Sequence, residues 1–275
     1  MKLHVGDERV SNSDPSTVPR GGYDPSFFDE LAAIEDRHFW FRARNRLIFE
    51  LAKKICSQLE PGHLVIEVGC GTGNVLRVLR DACPAGRVVG LELWFEGLRH
   101  AQRRVGDWLV RGDVRSLPFG PQFNVAGLFD VLEHLPAERE TLQALHAALV
   151  PGGKLMLTVP AHQFLWSYFD EAAHHCRRYS ETEIRERLVE AGFKVEYLSQ
   201  FMACILPIIW AFRKVGNFWG HSDAETSRNW AAREFRIVPG VNWVLTSLLT
   251  LEARWLARGH RLRFGTSFVV IATKP

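Results

Sequence analysis

Cysteine is scarce and scattered. Five residues (Cys56, Cys70, Cys83, Cys176 and Cys204) are spread over 275, none in a C-x-x-C pair. That spacing suits neither a zinc site nor a disulfide framework, and a reducing cytosol is the simpler setting. No apolar run reaches bilayer length, since the longest, 201–212, carries Pro207; an integral membrane protein is not expected. Residues 1–22 are polar and rich in Ser, Pro and Gly, without the apolar core of a signal peptide, and read as a flexible tail. An excess of one charge is also lacking. Lys and Arg number 34 against 31 Asp and Glu, a net charge of +3, and the basic residues are dispersed, which argues against a nucleic-acid partner.

What remains is the composition of an ordinary globular protein, 47% hydrophobic and 24% charged. One stretch organises it. A β-branched apolar run over 64–68 reads as a buried strand and breaks into Gly69, Gly71 and Gly73; Val75, Leu76, Val78 and Leu79 then resume at helical spacing. A strand, a tight turn and a helix start bring unpaired N–H groups to a ligand, and glycine lets the backbone approach it closely. The dinucleotide fingerprint G-x-G-x-x-G/A does not fit: its last position falls on Asn74 counted from Gly69 and on Leu76 counted from Gly71.

Glu67-x-Gly69-x-Gly71-x-Gly73 instead resembles motif I of the class I S-adenosylmethionine (SAM)-dependent methyltransferases. The resemblance extends along 64–159. Glu92 closes a second strand (87–93) about twenty residues after the glycines, where a carboxylate can accept both ribose hydroxyls. Asp113, after a third apolar segment, resembles the family's adenine-side acid. Asp130-Val131-Leu132-Glu133-His134 resembles the D-x-x-E-H segment of the "type 11" group. The resemblance implies SAM as cofactor and S-adenosyl-L-homocysteine as product, held by Glu67, Gly69, Cys70, Gly71, Gly73, Asn74, Glu92, Leu93, Asp113, Val114, Asp130 and Val131.

Strands alternating with helices imply a parallel sheet covered on both faces, with ligands at the carboxyl ends of its strands. The expected fold is α/β and Rossmann-like, with a largely parallel seven-stranded sheet flanked by helices. In the resembling family the last two strands pair antiparallel. The expected division is a tail (1–22), an N-terminal helical cap (23–60), a SAM-binding core (61–200), an apolar helical insertion (201–265) and the last strand of the core (266–275). Tyr23, Phe27, Phe28, Leu31 and Ile34 begin the cap as one helical face.

Methyl transfer asks for alignment and exclusion of water, and a hydroxyl acceptor adds the need for a base. Candidate bases are His134, His162, His174 and His175, in loops leaving the reactive edge. Acceptor contacts are expected from Trp40, Arg44, Trp166, Arg178 and Tyr179. Arg177 and Arg178 either grip an anionic group or pair with Asp170 and Glu171. No metal is expected. The acceptor is read as a small or lipid-like molecule, methylated at O, or else at N or C. The rival reading is a SAM-binding partner or regulatory module without turnover. Nucleic-acid methylation is disfavoured, because the fourth-strand loop lacks an Asn/Asp-Pro-Pro-aromatic pattern. Val241, Val244, Leu245, Leu248 and Trp255 share one helical face beside Arg254, Arg258, Arg261 and Arg263. That face fits a membrane surface with the protein otherwise cytoplasmic, internal packing, or a homodimer contact.

Overall fold

The computed structural model describes residue 25 and residues 27–106, 108–218 and 235–275. The expected tail over 1–22, Tyr23 and the middle of the insertion lie outside the described residues. Seven strands form one sheet: β1 (Leu64–Val68), β2 (Arg87–Glu92), β3 (Leu109–Arg111), β4 (Phe123–Phe129), β5 (Leu149–Pro160), β6 (Lys194–Phe201) and β7 (Ser267–Thr273). Their order is β3-β2-β1-β4-β5-β7-β6. The first five are parallel, and β7 enters antiparallel between β5 and β6. The order reverses beside β1, so a crevice opens at the carboxyl ends of β1 and β4.

The apolar run of β1 is buried along nearly its whole length, as a strand covered on both sides must be. On one face lie α2 (Phe39–Cys56), α3 (Asn74–Ala82), α4 (Phe95–Val105) and α9 (Pro239–Ala257); on the other lie α5 (Glu138–Ala148) and α7 (Glu181–Glu190). Three further helices, α1 (Phe27–Ile34), α6 (Tyr168–Ala172) and α8 (Leu206–Phe218), contribute side chains to the crevice. The Ser180-x-x-Glu183 pattern forms a reciprocal capping box at the start of α7, satisfying two backbone N–H groups at once.

Two expectations need correction. Cys56 and Cys83 form a disulfide, with Cα atoms 5.5 Å apart. It joins the end of α2 to the residue capping α3; their 27-residue separation in sequence gave no hint that two packed helices end side by side. The cysteine argument for a reducing compartment therefore falls away. The apolar face expected on α9 also divides. Leu245 turns towards the crevice, whereas Val241, Val244, Leu248 and Trp255 are exposed and Thr246, Leu249, Ala253 and Leu256 face inward. Among the described residues no helix is long and apolar enough to cross a membrane.

Candidate active site

The glycine turn follows β1 directly. Gly69 has φ +72°, and a Cβ there would stand 2.6 Å from a methyl of Val131. Gly73, the N-cap of α3, has φ +77°, and its Cβ would stand 2.8 Å from the Ala101 Cα on α4. Both positions thus combine a left-handed backbone with a neighbour too close for a side chain. The segment at the end of α1 is latched onto this turn. Glu35, after α1, accepts a hydrogen bond from the Thr72 hydroxyl at 2.6 Å and pairs with Arg104 at 2.7 Å. Asp36 pairs with Arg77 at 2.6 Å and accepts from Asn74 at 3.1 Å. Phe28 is buried against the turn, 3.4 Å from where a Gly71 Cβ would lie.

Between the turn and the helices above it is a cavity of about 700 Å³, the size of a small-molecule site. Its lining includes Glu67, Gly69, Cys70, Gly71, Asn74, Glu92, Leu93, Asp113, Val114, Asp130 and Val131. Gly73 is not part of that lining; it serves the packing of α3 on α4. Glu92 accepts from the backbone N–H groups of Gly71, Leu93 and Trp94 at 2.8–3.0 Å. Asp113 caps the following turn by accepting from the Arg115 N–H and is forked by the Arg115 guanidinium, which holds its carboxyl below the usual range. Asp130, at φ +55°, pairs with Arg44 at 2.7 Å and accepts from Thr158 at 3.1 Å. Arg44 also lies over the Trp40 ring, 4.9 Å from its centroid.

Burial pushes the carboxyls of Glu67, Glu92 and Glu133 up, and like charges nearby add to it at Glu67 and Glu133. Glu67 Oε2 and Glu133 Oε2 are buried without a hydrogen-bond partner. A cavity lined by three such acids, two with unsatisfied oxygens, favours a cationic ligand. An amino acid ammonium and a sulfonium meet that requirement, and the glycine turn leaves room for them, so the residues present fit SAM.

A second set of polar groups enters the same cavity. His175 Nδ1 is 2.8 Å from Asp170 Oδ1, and the buried Asp170 is also paired with Arg178 at 2.7 Å. Arg213 stands 3.9 Å from its other oxygen. Burial raises the Asp170 carboxyl, but the hydrogen bond from His175 and the charges of Arg178 and Arg213 outweigh it and hold it at about 2. His134 packs edge-on against His175; burial, and then the neighbouring His175, lower it to about 3. An imidazole so reluctant to become charged is a poor proton acceptor near neutrality.

Other expected residues are turned elsewhere. His162, at φ +64°, bonds Gln200 at 2.6 Å and stacks on Phe164, because a bridge between Ala161 and Tyr179 carries its segment past the end of β5 and away from the cavity. His174 is exposed in the turn after α6. Trp166 lies outside the lining, whereas Trp40, Arg44 and Arg178 belong to it. Tyr179 is buried below the site and donates to Glu138 at 2.8 Å; burial and the Glu138 carboxylate push its phenol up, so it is no base. Arg178 pairs with Asp170 as the structural alternative expected, whereas Arg177 pairs with Glu138, a partner outside the expected Asp170 and Glu171. Sequence reasoning missed Glu35, Thr72 and Arg213, and it read Asp170 only as a salt-bridge partner. The single signal for the last was its acidic neighbourhood five residues before His175.

Fold and site together fit the class of enzymes that use SAM on a largely parallel sheet. A family model for a methyltransferase domain matches residues 34–198. A Mycolicibacterium smegmatis protein named "probable S-adenosylmethionine-dependent methyltransferase" is 27% identical over 67% of this chain and 69% of its own length. A malonyl-[acyl-carrier protein] O-methyltransferase of Enterobacter lignolyticus is 28% identical over 50% of this chain. The chain spans 57% of that relative and 46% of the trans-aconitate 2-methyltransferase of Azoarcus, to which it is 29% identical over 44% of its own length. Among solved structures, a chain of the Haloferax volcanii complex between the Trm112 methyltransferase activator and a methyltransferase has the same fold. It aligns with a TM-score of 0.56 at 20% identity, covering 90% of this chain and 97% of that one. The chain belongs to the class I SAM-dependent methyltransferases, with S-adenosyl-L-methionine as its cofactor.

Proposed function

We propose that the protein methylates a hydroxyl on an apolar small-molecule or lipid-like acceptor, with His175 as the base. His175, which lines the cavity and is backed by the buried Asp170, carries this reading. An ionised carboxylate only accepts, so its bond to Nδ1 requires the proton there and leaves the Nε2 lone pair for the acceptor. When bound, SAM supplies a methyl group on a sulfonium sulfur, which departs with the bond electrons as a neutral thioether. His175 takes the acceptor proton as the new O–C bond forms, and Arg178 and Arg213 keep Asp170 ionised to steady the imidazolium. Glu67 and the glycine turn are assigned to the methionine part, Glu92 to the ribose hydroxyls, and Asp113 and Val114 to the adenine.

The remaining wall supports an apolar acceptor. Trp40, Phe41, Phe169, Phe235, Ile209 and Leu245 line it, so the cap (23–60) and the insertion (201–265) are assigned to acceptor recognition on a core of 61–200 and 266–275. Transfer to oxygen agrees with the printed names of two relatives, a malonyl-[acyl-carrier protein] and a ubiquinone biosynthesis O-methyltransferase. Assay of purified protein with methyl-labelled SAM against apolar alcohols and phenols tests the proposal. His175→Ala should lose about a hundredfold or more in turnover with calorimetric SAM affinity unchanged. Wild-type turnover by that variant would remove the imidazole from the chemistry, and tight SAM binding without turnover of any acceptor would favour a binding module.

A further inference from the structure

Helix α9 presents two opposed apolar faces. Thr246, Leu249, Ala253 and Leu256 pack inward. Val241, Val244, Leu248, Leu251 and Trp255, in alternating steps of three and four residues, form a stripe on the outer side, each 41–60% exposed. Trp243, Ile208 and Phe264 add 69%, 60% and 69% exposed side chains from α9, α8 and the loop before β7. A folded monomer that needed α9 only as a cover would present polar residues outward.

The stripe has a charge pattern as well. Residues 235–265 contain Arg236, Arg254, Arg258, Arg261 and Arg263 and a single acid, Glu252. Glu252 is turned inward, accepting from the Met202 and Ala203 N–H groups, so no carboxylate from this segment offsets the arginines. Arg254, Arg258, Arg261 and Arg263 are exposed. Aromatic and aliphatic side chains beside arginines that have no ion-pair partner among the described residues match a headgroup layer carrying negative charge. A two-fold contact with a second copy would set this basic edge against itself. The stripe is continuous with the cavity, since Val241 and Ile208 are both exposed and part of its lining.

Resting on the proposed apolar acceptor, we infer that the outer face of α9, with Ile208 and Phe264, is a docking surface for an anionic lipid bilayer, from which the acceptor enters the cavity between α8 and α9. The chain's apolar stripe enters the acyl boundary while Arg254, Arg258, Arg261 and Arg263 meet lipid phosphates. No covalent step is involved, and docking is independent of turnover.

Vesicle co-sedimentation tests this with full-length protein and phosphatidylcholine vesicles, with and without about a third phosphatidylglycerol. The wild-type protein should pellet with the anionic vesicles and be released by salt. Leu248→Glu/Leu251→Glu should lower its partition about tenfold or more, and Arg254→Glu/Arg258→Glu likewise. All four side chains lie on the surface, outside the cavity lining, so circular dichroism and SAM affinity should be unchanged in both variants. Wild-type protein remaining in the supernatant at low salt, or variants pelleting like wild type, would overturn the inference. So would concentration-dependent dimerisation abolished by Leu248→Glu/Leu251→Glu without lipid binding, which would give the face to a second copy. Turnover of a water-soluble acceptor, read separately through His175→Ala, distinguishes failure of the docking surface from failure of the proposed chemistry.

Discussion

His134 and His175 touch edge to face, their ring centroids 4.7 Å apart, yet their surroundings differ. His175 has a carboxylate on Nδ1, whereas burial and then the neighbouring His175 disfavour the imidazolium of His134. His134 therefore links protonation to stability. Its folded-state value, about 3, lies below the ordinary histidine value of 6.5, so the unfolded chain binds the extra proton first. Stability from this group is complete above pH 6.5 and is lost as the pH falls towards 3, at up to about 1.4 kcal/mol per pH unit. Urea unfolding of wild type and His134→Gln between pH 7.5 and 5 should show a shallower acid dependence in the variant. Parallel curves would mean that His134 is charged in the folded protein.

Among the elements, α9 is tied to other segments by polar contacts at both ends. It runs along α2, where Asn242 accepts from the Phe39 N–H at 2.8 Å and donates to the Arg37 carbonyl at 2.9 Å. Its other end is held by Glu252 against the chain leaving β6, and by the Tyr197 hydroxyl donating to the Leu256 and His260 carbonyls. Glu252→Ala would leave the Met202 and Ala203 N–H groups without their partner and should cost about 1–3 kcal/mol in denaturant unfolding. SAM affinity should be retained, because the glycine turn is on another element. Unchanged stability would show that α9 is held by its apolar face alone.

At the scale of the whole molecule, residues from both ends of the described chain and from the sheet between them line one cavity. Glu35 and Asp36 tie the segment after α1 to the glycine turn, and Phe41 stacks on Phe235. A ligand seated there bridges these segments, and binding to the folded state alone must raise its stability. S-adenosyl-L-homocysteine at a hundredfold excess over Kd should contribute about 2.7 kcal/mol, a rise in Tm of roughly 5–10 °C. Absence of any shift in a thermal melt, with calorimetry showing no heat of binding, would refute the cofactor site.

The glycine turn, the alternation of strands and helices, and the acids closing β1, β2 and β4 were legible in sequence because each depends on residues a few positions apart. Strand periodicity, the need for positive φ at Gly69 and Gly73, and the capping box at Ser180 are local requirements of the backbone, and they locate the carboxyl edge of the sheet. Among the four candidate histidines, the pairing of His175 with a buried carboxylate emerges only in the tertiary structure. That pairing depends on Asp170 being buried between Arg178 and Arg213, the latter brought by α8 from beyond β6. The tertiary structure also turned His162 and Tyr179 away from the cavity, through a bridge across the sheet end, and joined Cys56 to Cys83. The outward face of α9 was decided in the same way. Helical spacing aligns Val241, Val244, Leu248 and Trp255 but cannot say which side meets the core, because α9 carries a second apolar stripe and only its packing against α2 determines which one is buried.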